Sequence, residues 1–256
     1  MRPLLVLAAA LSLGACASTT TKSGFLTSYE GLQTNTNAVR AEIMQRQDPA
    51  LASVRRIALE PTVFASTVDA PWMTPAERET LAREVDAQLC FELTERYDLA
   101  DPASADARVR AAITSVTPTG KIGSAASVVA GVLIPIPIGV RLPGTLGALA
   151  AEAEMLSREG KQLAALSWNR SAAPVGTDSP SFSRIGDALQ FAEPFADAAG
   201  NTMTAPGVRT RPIPSPDPCA AYGPRFRPEG FLAKVATGLY VPQMSGAKKD
   251  ATPPKP

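Results

Sequence analysis

Residues 149–169 read Leu149-Ala-Ala-Glu-Ala-Glu-Met-Leu-Ser157, then Arg158-Glu159-Gly160-Lys161, then Gln162-Leu-Ala-Ala-Leu-Ser-Trp-Asn169. Two runs suited to strands flank a short polar turn in which glycine supplies the positive φ that a tight hairpin needs. Glu152 and Glu154 stand at i and i+2, so they point to the same face of their strand. In a hairpin half exposed to water, that spacing predicts an ordinary wet face rather than a catalytic carboxylate pair. Trp168, late in the second run, reads as a core or sheet-edge aromatic.

Alternation recurs upstream. Asp106 to Val116 sets Val109, Ala111 and Ile113 against Arg108, Arg110 and Thr114, and Arg55 to Phe64 sets Ile57, Leu59, Pro61 and Val63 against Arg56, Ala58, Glu60 and Thr62. Pro61 removes a ladder donor, so that strand runs near an edge or ends there. Thr74-Pro75-Ala76-Glu77 is a capping box with proline at the first helical position. After it, Leu81, Val85, Leu89 and Leu93 recur every four residues, with Ala82, Asp86, Cys90 and Tyr97 alongside. Phe182, Ile185, Leu189, Ala192 and Phe195 have helical spacing too, though Pro194 should kink that helix or end its first half. Strand, helix, three strands and a helix predict an α+β fold: a two-layer sandwich, its sheet mostly antiparallel, with helices on one face.

Composition narrows the chemistry. The 256 residues include 25 basic and 24 acidic side chains, three cysteines and no histidine. A balanced charge offers no field for nucleic acid. Without histidine there is no Ser-His-Asp or Cys-His machine and no His-containing zinc site. Three cysteines cannot make a four-thiolate site, so neither a metal nor a cofactor is expected. Ser66, Ser157 and Ser167 sit in no Gly-x-Ser-x-Gly elbow. Gly120-Lys121-Ile122-Gly123-Ser124 lacks the spacing of a phosphate loop. Asp69, Asp86 and Asp217, like the glutamates of the hairpin, are carboxylates without a partner in any recognised catalytic pattern.

The first sixteen residues carry an address. Met1-Arg2 precedes the apolar run Leu4 to Leu13, and Leu13-Gly14-Ala15-Cys16 closes it. This is a secretory signal, too short for a permanent membrane span, and its last four residues resemble a bacterial lipobox. In that pattern the cysteine thiol takes a diacylglycerol, cleavage falls before it, and the new amine is acylated, so Cys16 is the expected lipidation site. Two or three acyl chains give stable attachment without spanning. Ala17 follows Cys16 where sorted lipoproteins kept at the inner membrane have aspartate; the resemblance implies the outer membrane, anchored by lipid and facing the periplasm. Loss of residues 1–15 removes only Arg2, leaving 24 basic against 24 acidic side chains. The tether, residues 16–23, is short: Ala17 to Ser23 reaches at most about 25 Å when extended.

After the tether, Gly24-Phe25-Leu26-Thr27-Ser28-Tyr29-Glu30-Gly31-Leu32 spaces Phe25, Tyr29 and Leu32 by four and three, which would put them on one face if the segment formed a helical turn. Gly-Phe-Leu, two residues and Tyr, with a nearby Leu, resembles the start of the bacterial lipoproteins of domain-of-unknown-function family 3313. Val54-Arg-Arg-Ile-Ala-Leu-Glu-Pro61 looks like that family's first strand, Pro137-Ile-Gly-Val-Arg141 like its Pro-Ile-Gly-x-Arg segment, and Ala151-Glu-Ala-Glu154 like its Glu-rich strand. The similarity covers about residues 24–200. It implies no activity and no catalytic residues. The family's Asp-x-x-Thr-Gly-Glu turn is replaced here by serine, arginine and lysine, so no site is read into it.

Ile122 to Val140 passes without a charge between Lys121 and Arg141. Three readings stand: a membrane helix, against which Pro135, Pro137, Gly123, Gly131 and Gly139 argue; a crossover over the sheet; or an apolar flap facing a membrane or a partner. Its densest apolar cluster, Val132, Leu133, Ile134, Ile136 and Ile138, is the expected contact flap in the last case. Residues 24–205 form the expected domain. Residues 206–244, rich in proline from Pro206 to Pro228, form a return segment without a core of its own, in which Phe226 to Tyr240 can dock back as a short helix; 245–256 is a disordered tail. With lipid on Cys16, Cys90 and Cys219 are left over in an oxidising envelope and are candidates to pair; the alternative is two unpaired thiols with Cys90 buried.

The function expected from these observations is that of a membrane-anchored, non-enzymatic binding or assembly accessory near the outer membrane. Its partners would be the bilayer, through the lipid, and an envelope protein. The alternative is a carrier of a small apolar molecule or lipid, which requires an apolar cavity of several hundred cubic ångströms. A hydrolase using carboxylates alone is the weakest reading.

Overall fold

The computed structural model describes residues 22–35, 41–120, 139–140, 146–173, 175–176, 178–237 and 239–248. The hairpin lies at the centre of the sheet. In chain order the strands are β1 (Gln33–Thr34), β2 (Glu42–Gln47), β3 (Arg56–Leu59), β4 (Val63–Phe64), β5 (Asp98–Leu99), β6 (Ala107–Thr117), β7 (Gly139–Val140), β8 (Ala148–Ser157), β9 (Gln162–Ser171) and β10 (Val175–Gly176). The helices are α1 (Pro75–Thr94), α2 (Gly186–Thr202), α3 (Pro228–Thr237) and the short α4 (Pro242–Ser245). Eight strands join in the order β1-β2-β9-β8-β6-β3-β5, with β4 also on β6; β7 and β10 pair separately. The fold is α+β.

The sheet is mixed rather than mostly antiparallel. From β1 through β2, β9 and β8 to β6, each strand pairs antiparallel with the next, whereas β3 and β4 lie parallel to β6 and β5 parallel to β3. The cause is α1, which separates β4 from β5 and β6 in the chain. A helical crossover returns the chain to the end of the sheet from which it left, so the strands on either side of it run the same way. Pro61 divides the run from Arg55 to Phe64, as its missing donor requires: β3 ends at Leu59, and β4 resumes along the same edge of β6. β2 precedes the segment expected to be the first strand; its sequence, Glu-Ile-Met-Gln-Arg-Gln, does not alternate.

α1 starts at the predicted capping box. Glu77 N–H donates to Thr74 Oγ1 at 3.2 Å, and Thr74 N–H donates to Glu77 Oε2 at 2.8 Å. Its Leu81, Val85, Leu89 and Leu93 enter one core with Val109, Ala111 and Ile113 of β6, Leu149, Ala151, Ala153 and Met155 of β8, and Leu166 and Trp168 of β9. Trp168 is core, edge-on to Phe195 of α2 with ring centroids 5.7 Å apart. α2 rests on β8 and β9 and against α1. At Gly200 a Cβ would strike the side chain of Glu92 on α1, so the two helices approach closely there. Pro194 neither ends nor splits α2. The burial of Phe191, Ala192, Phe195, Ala196 and Ala199 on either side of it outweighs the lost hydrogen bond. Phe182, expected on this helix, precedes it and is half exposed.

Two outcomes check this core. Phe195→Ala should lower unfolding free energy by about 3–5 kcal/mol in denaturant titrations; a loss below about 1 kcal/mol would place Phe195 outside the core. On α2, partial burial first and then the charges of Glu92 and Glu193 push the Asp197 carboxyl up to about 6. The folded chain therefore holds this proton more tightly than the unfolded chain. Asp197 removes stability as pH rises from about 4 to about 6, and the loss is complete above that window. Asp197→Asn should flatten that arm of a plot of melting temperature against pH and raise the melting temperature at pH 7.

Candidate functional site

Residues 23–29 cover the face of β8 opposite the core. Glu152 and Glu154 are 1% and 0% exposed there, so the wet face expected from their spacing is in fact closed. Ser23 Oγ–H and Tyr29 O–H donate to Glu152 Oε2 at 2.5 and 2.8 Å. Thr27 N–H donates to Glu154 Oε2 and Thr27 Oγ1–H to Oε1, both at 2.9 Å. Gln162 Nε2–H donates to Glu154 Oε2 at 2.5 Å, and Arg110 Nε–H donates to Oε1 at 2.7 Å.

Arg110 also fastens the covering segment from its other side. Its Nη2 donates to Phe25 O at 3.0 Å, and its guanidinium lies 4.7 Å from the Phe25 ring centroid. Gly24, at φ +83°, turns the chain so that its N–H donates to Tyr29 Oη at 2.9 Å; Leu26 N–H donates to the same oxygen at 3.3 Å. Leu26 is buried beneath. The Gly-Phe-Leu-x-x-Tyr run is thus a clamp: each recognisable residue closes the turn or reaches the carboxylates. Arg110 balances Glu154, whereas among the described residues Glu152 is held through hydroxyls, and its Oε1 is buried without a hydrogen bond. Carboxylates occupied in this way fasten a segment to the sheet.

A second feature is built by the return segment. Cys90 of α1 and Cys219 form a disulfide, with Cα atoms 5.9 Å apart. Beside it, Arg225 donates from Nε to Asp217 Oδ2 and from Nη2 to Thr94 Oγ1, both at 2.8 Å, and from Nη1 to Phe91 O at 2.5 Å. The Arg225 hydrogen bond first, then the Cys219 N–H, holds the Asp217 carboxyl below its usual range against the effect of burial. Between this segment, α1 and the parallel edge of the sheet lies a cavity of about 370 Å³, walled by apolar side chains that include Leu59, Leu89, Leu99, Ala111 and Pro218. Its polar groups are Glu60, Asp86 and Tyr222. Asp86 Oδ1 accepts Thr62 N–H at 2.7 Å. Burial pushes the Asp86 carboxyl up, with the Thr62 contacts and the charge of Arg83 opposing it.

Cys16 and the flap residues Val132, Leu133, Ile134, Ile136 and Ile138 lie outside the described residues, as do Lys121 to Ser124. Ser157 ends β8, and its Oγ accepts Glu159 N–H at 3.2 Å. Among the described residues no group of three or more His, Cys, Asp and Glu side chains is placed to hold a metal ion. No described helix is long and apolar enough to cross a membrane. Sequence reasoning missed both the clamp and the cavity. For the clamp one signal existed: hydroxyls at 23, 27 and 29 beside a pair of strand glutamates.

The family model described as "Protein of unknown function (DUF3313)" matches residues 21–199, a span that includes the clamp and both glutamates and stops before the return segment. No curated protein matches. Among solved structures, a PelC dodecamer from Paraburkholderia phytofirmans is 10% identical, with 64% of this chain and 98% of that chain covered and a TM-score of 0.39. A DUF4136 family protein from Bacteroides thetaiotaomicron is also 10% identical, covering 65% and 99% of the respective chains at a TM-score of 0.33.

Tyr29→Phe removes the hydroxyl that joins Gly24 and Leu26 to Glu152. Amide hydrogen exchange over residues 24–29 should then accelerate roughly tenfold or more, the effect of about 1.5–3 kcal/mol for a hydrogen bond to a charged group, while β8 and β9 stay protected. Unchanged exchange would mean that the hydroxyl does not hold the segment. In the return segment, mass spectrometry without reductant should find Cys90 and Cys219 in one linked peptide. Two alkylatable thiols would contradict the structure.

Proposed function

Since the chain belongs to the DUF3313 family, whose description assigns no activity, we propose from the site itself that it is a lipid-anchored binding protein of the bacterial envelope. It is acylated at Cys16, held to the outer membrane on the periplasmic side, and acts without catalysis. In this reading the molecule works as two layers, helices over one face of the sheet and the clamp over the other. The observation that carries the proposal is the clamp. Ser23 is fixed to Glu152, so only Ala17 to Lys22 separates the lipid from a fastened residue, a reach of at most about 20 Å. A lipid on Cys16 thereby holds the whole body, not a dangling tail, next to the bilayer.

Two further observations support binding over catalysis. The sequence contains no histidine, and the most deeply buried carboxylates of the sheet are occupied by the clamp. In the return segment, Phe226, Phe231, Leu232 and Val235 are each more than half exposed, on and just before α3. Apolar side chains gathered in that way mark contact surfaces, and the partner proposed for them is another envelope protein. A second reading, carriage of a small apolar molecule, is favoured by the cavity of about 370 Å³, which falls within the size range of ligand sites.

Radiolabelled palmitate should enter the wild-type chain and be absent from Cys16→Ser, with the protein moving from the membrane fraction to the soluble periplasm. Equal labelling of both would remove the anchor. Crosslinking in cells should capture an envelope protein through positions 226–235, and Phe231→Asp with Leu232→Asp should abolish the adduct without lowering the melting temperature.

A further inference from the structure

We propose that the cavity beneath the return segment is a ligand site for small apolar molecules whose single polar end donates a hydrogen bond, namely alcohols or amines rather than carboxylates or phosphates. This deepens the carrier reading and rests on it. Three observations carry it. First, the cavity of about 370 Å³ is lined mostly by apolar groups, in the volume range that buries a small ligand. Its walls come from unrelated parts of the chain: Leu59 and Leu99 from parallel strands, Leu89 from α1, and Pro218 and Tyr222 from the return segment.

Second, the outer wall is fastened. The Cys90–Cys219 disulfide lies next to Pro218, and Arg225 ties Asp217 and Thr94 together beside it. Tyr222 O accepts Lys248 N–H at 3.1 Å, which secures the wall from its far side. A preformed wall spares the ligand the cost of ordering its own site.

Third, the polar lining has one sign. Among the described residues no basic side chain lines the cavity; Asp86 and Glu60 are the charged groups there, and Tyr222 contributes a phenol. Asp86 receives Thr62 N–H on Oδ1, and no hydrogen bond from the described residues reaches Oδ2. Glu60 sits 3.6 Å from Arg108 in an exposed pair. A hydroxyl or ammonium entering this space would meet a carboxylate acceptor in apolar surroundings. A carboxylate or phosphate would meet like charge in a medium that screens it poorly. An anionic headgroup needs a cation in the wall, and none of the described lining residues supplies one.

The test uses the full chain with Cys16→Ser, so that no attached acyl chain competes. Fluorescence of 1-aminoanthracene, an apolar aromatic amine, should rise saturably on binding. Decan-1-ol and decylamine should displace it, and decanoate of the same chain length should do so roughly tenfold or more weakly, the scale of one buried polar group left unsatisfied. Asp86→Asn should narrow the gap between alcohol and carboxylate while probe binding persists. Ala100→Trp, which fills the cavity, should abolish binding with the melting transition intact; if that chain does not fold, Pro102→Trp at the exposed rim serves instead. No saturable probe binding by the wild type would overturn the carrier reading itself. Binding that survives both tryptophan variants would place the probe elsewhere and overturn the site. Equal displacement by decanoate and decan-1-ol would leave the carrier reading standing and overturn only the choice of ligand class.

Discussion

Two carboxylates buried side by side on the central strand are the constraint to which the rest of the structure answers. A carboxylate taken out of water without partners costs several kcal/mol even after relaxation, and Glu152 and Glu154 are both below 2% exposed. The sheet supplies part of the compensation through Arg110 and Gln162. The remainder comes from residues 23–29, which bring two hydroxyls to Glu152 and a backbone amide and a hydroxyl to Glu154. Breaking such an arrangement is costlier than forming it is favourable, because each lost donor leaves a buried charge unsatisfied. The clamp therefore favours one conformation of the segment, the one that brings these donors to the two carboxylates.

The two faces of β8 divide the labour of the molecule. Leu149, Ala151, Ala153 and Met155 meet the helices, and the small alanines bring α2 close to the strands. The intervening positions hold the clamp. At the sheet's other end the parallel edge leaves a gap between β3, β5 and α1 that the disulfide-bound return segment roofs without filling. In the proposed function, the clamp sets how far the body can stand from a lipid on Cys16, and the roofed gap and the exposed side chains around α3 are the surfaces offered for binding.

Much of this was readable in the residues. The capping box of α1, the turn at Gly160 and the leucine repeat every four residues are local signals, and each landed where expected. Others depended on distance. Alternation placed Glu152 and Glu154 on one face, yet whether that face is wet is decided by Tyr29, 123 positions away. The direction of β3 beside β6 is set by the crossover, which a strand's own pattern does not encode. β2 lacks alternation because Arg46 and Gln47 make side-chain contacts of their own, Arg46 with Gln162 and Gln47 with Thr202 O at 2.7 Å. Pro194 is expected to kink α2 or end its first half, yet the helix runs on to Thr202, since burial on both sides of the proline outweighs a single missing donor.

What holds residues 23–29 in place is their coupling to the strand beneath them. A double-mutant cycle of Tyr29→Phe and Glu152→Gln, followed by equilibrium unfolding, measures it without reference to any partner or ligand. The clamp predicts that the two losses fall short of adding by about 1–3 kcal/mol, the scale of a buried hydrogen bond to a charged group. Strict additivity, within the roughly 0.3–0.5 kcal/mol seen for independent sites, would contradict it: the N-terminal segment would then not be held by the carboxylates beneath it.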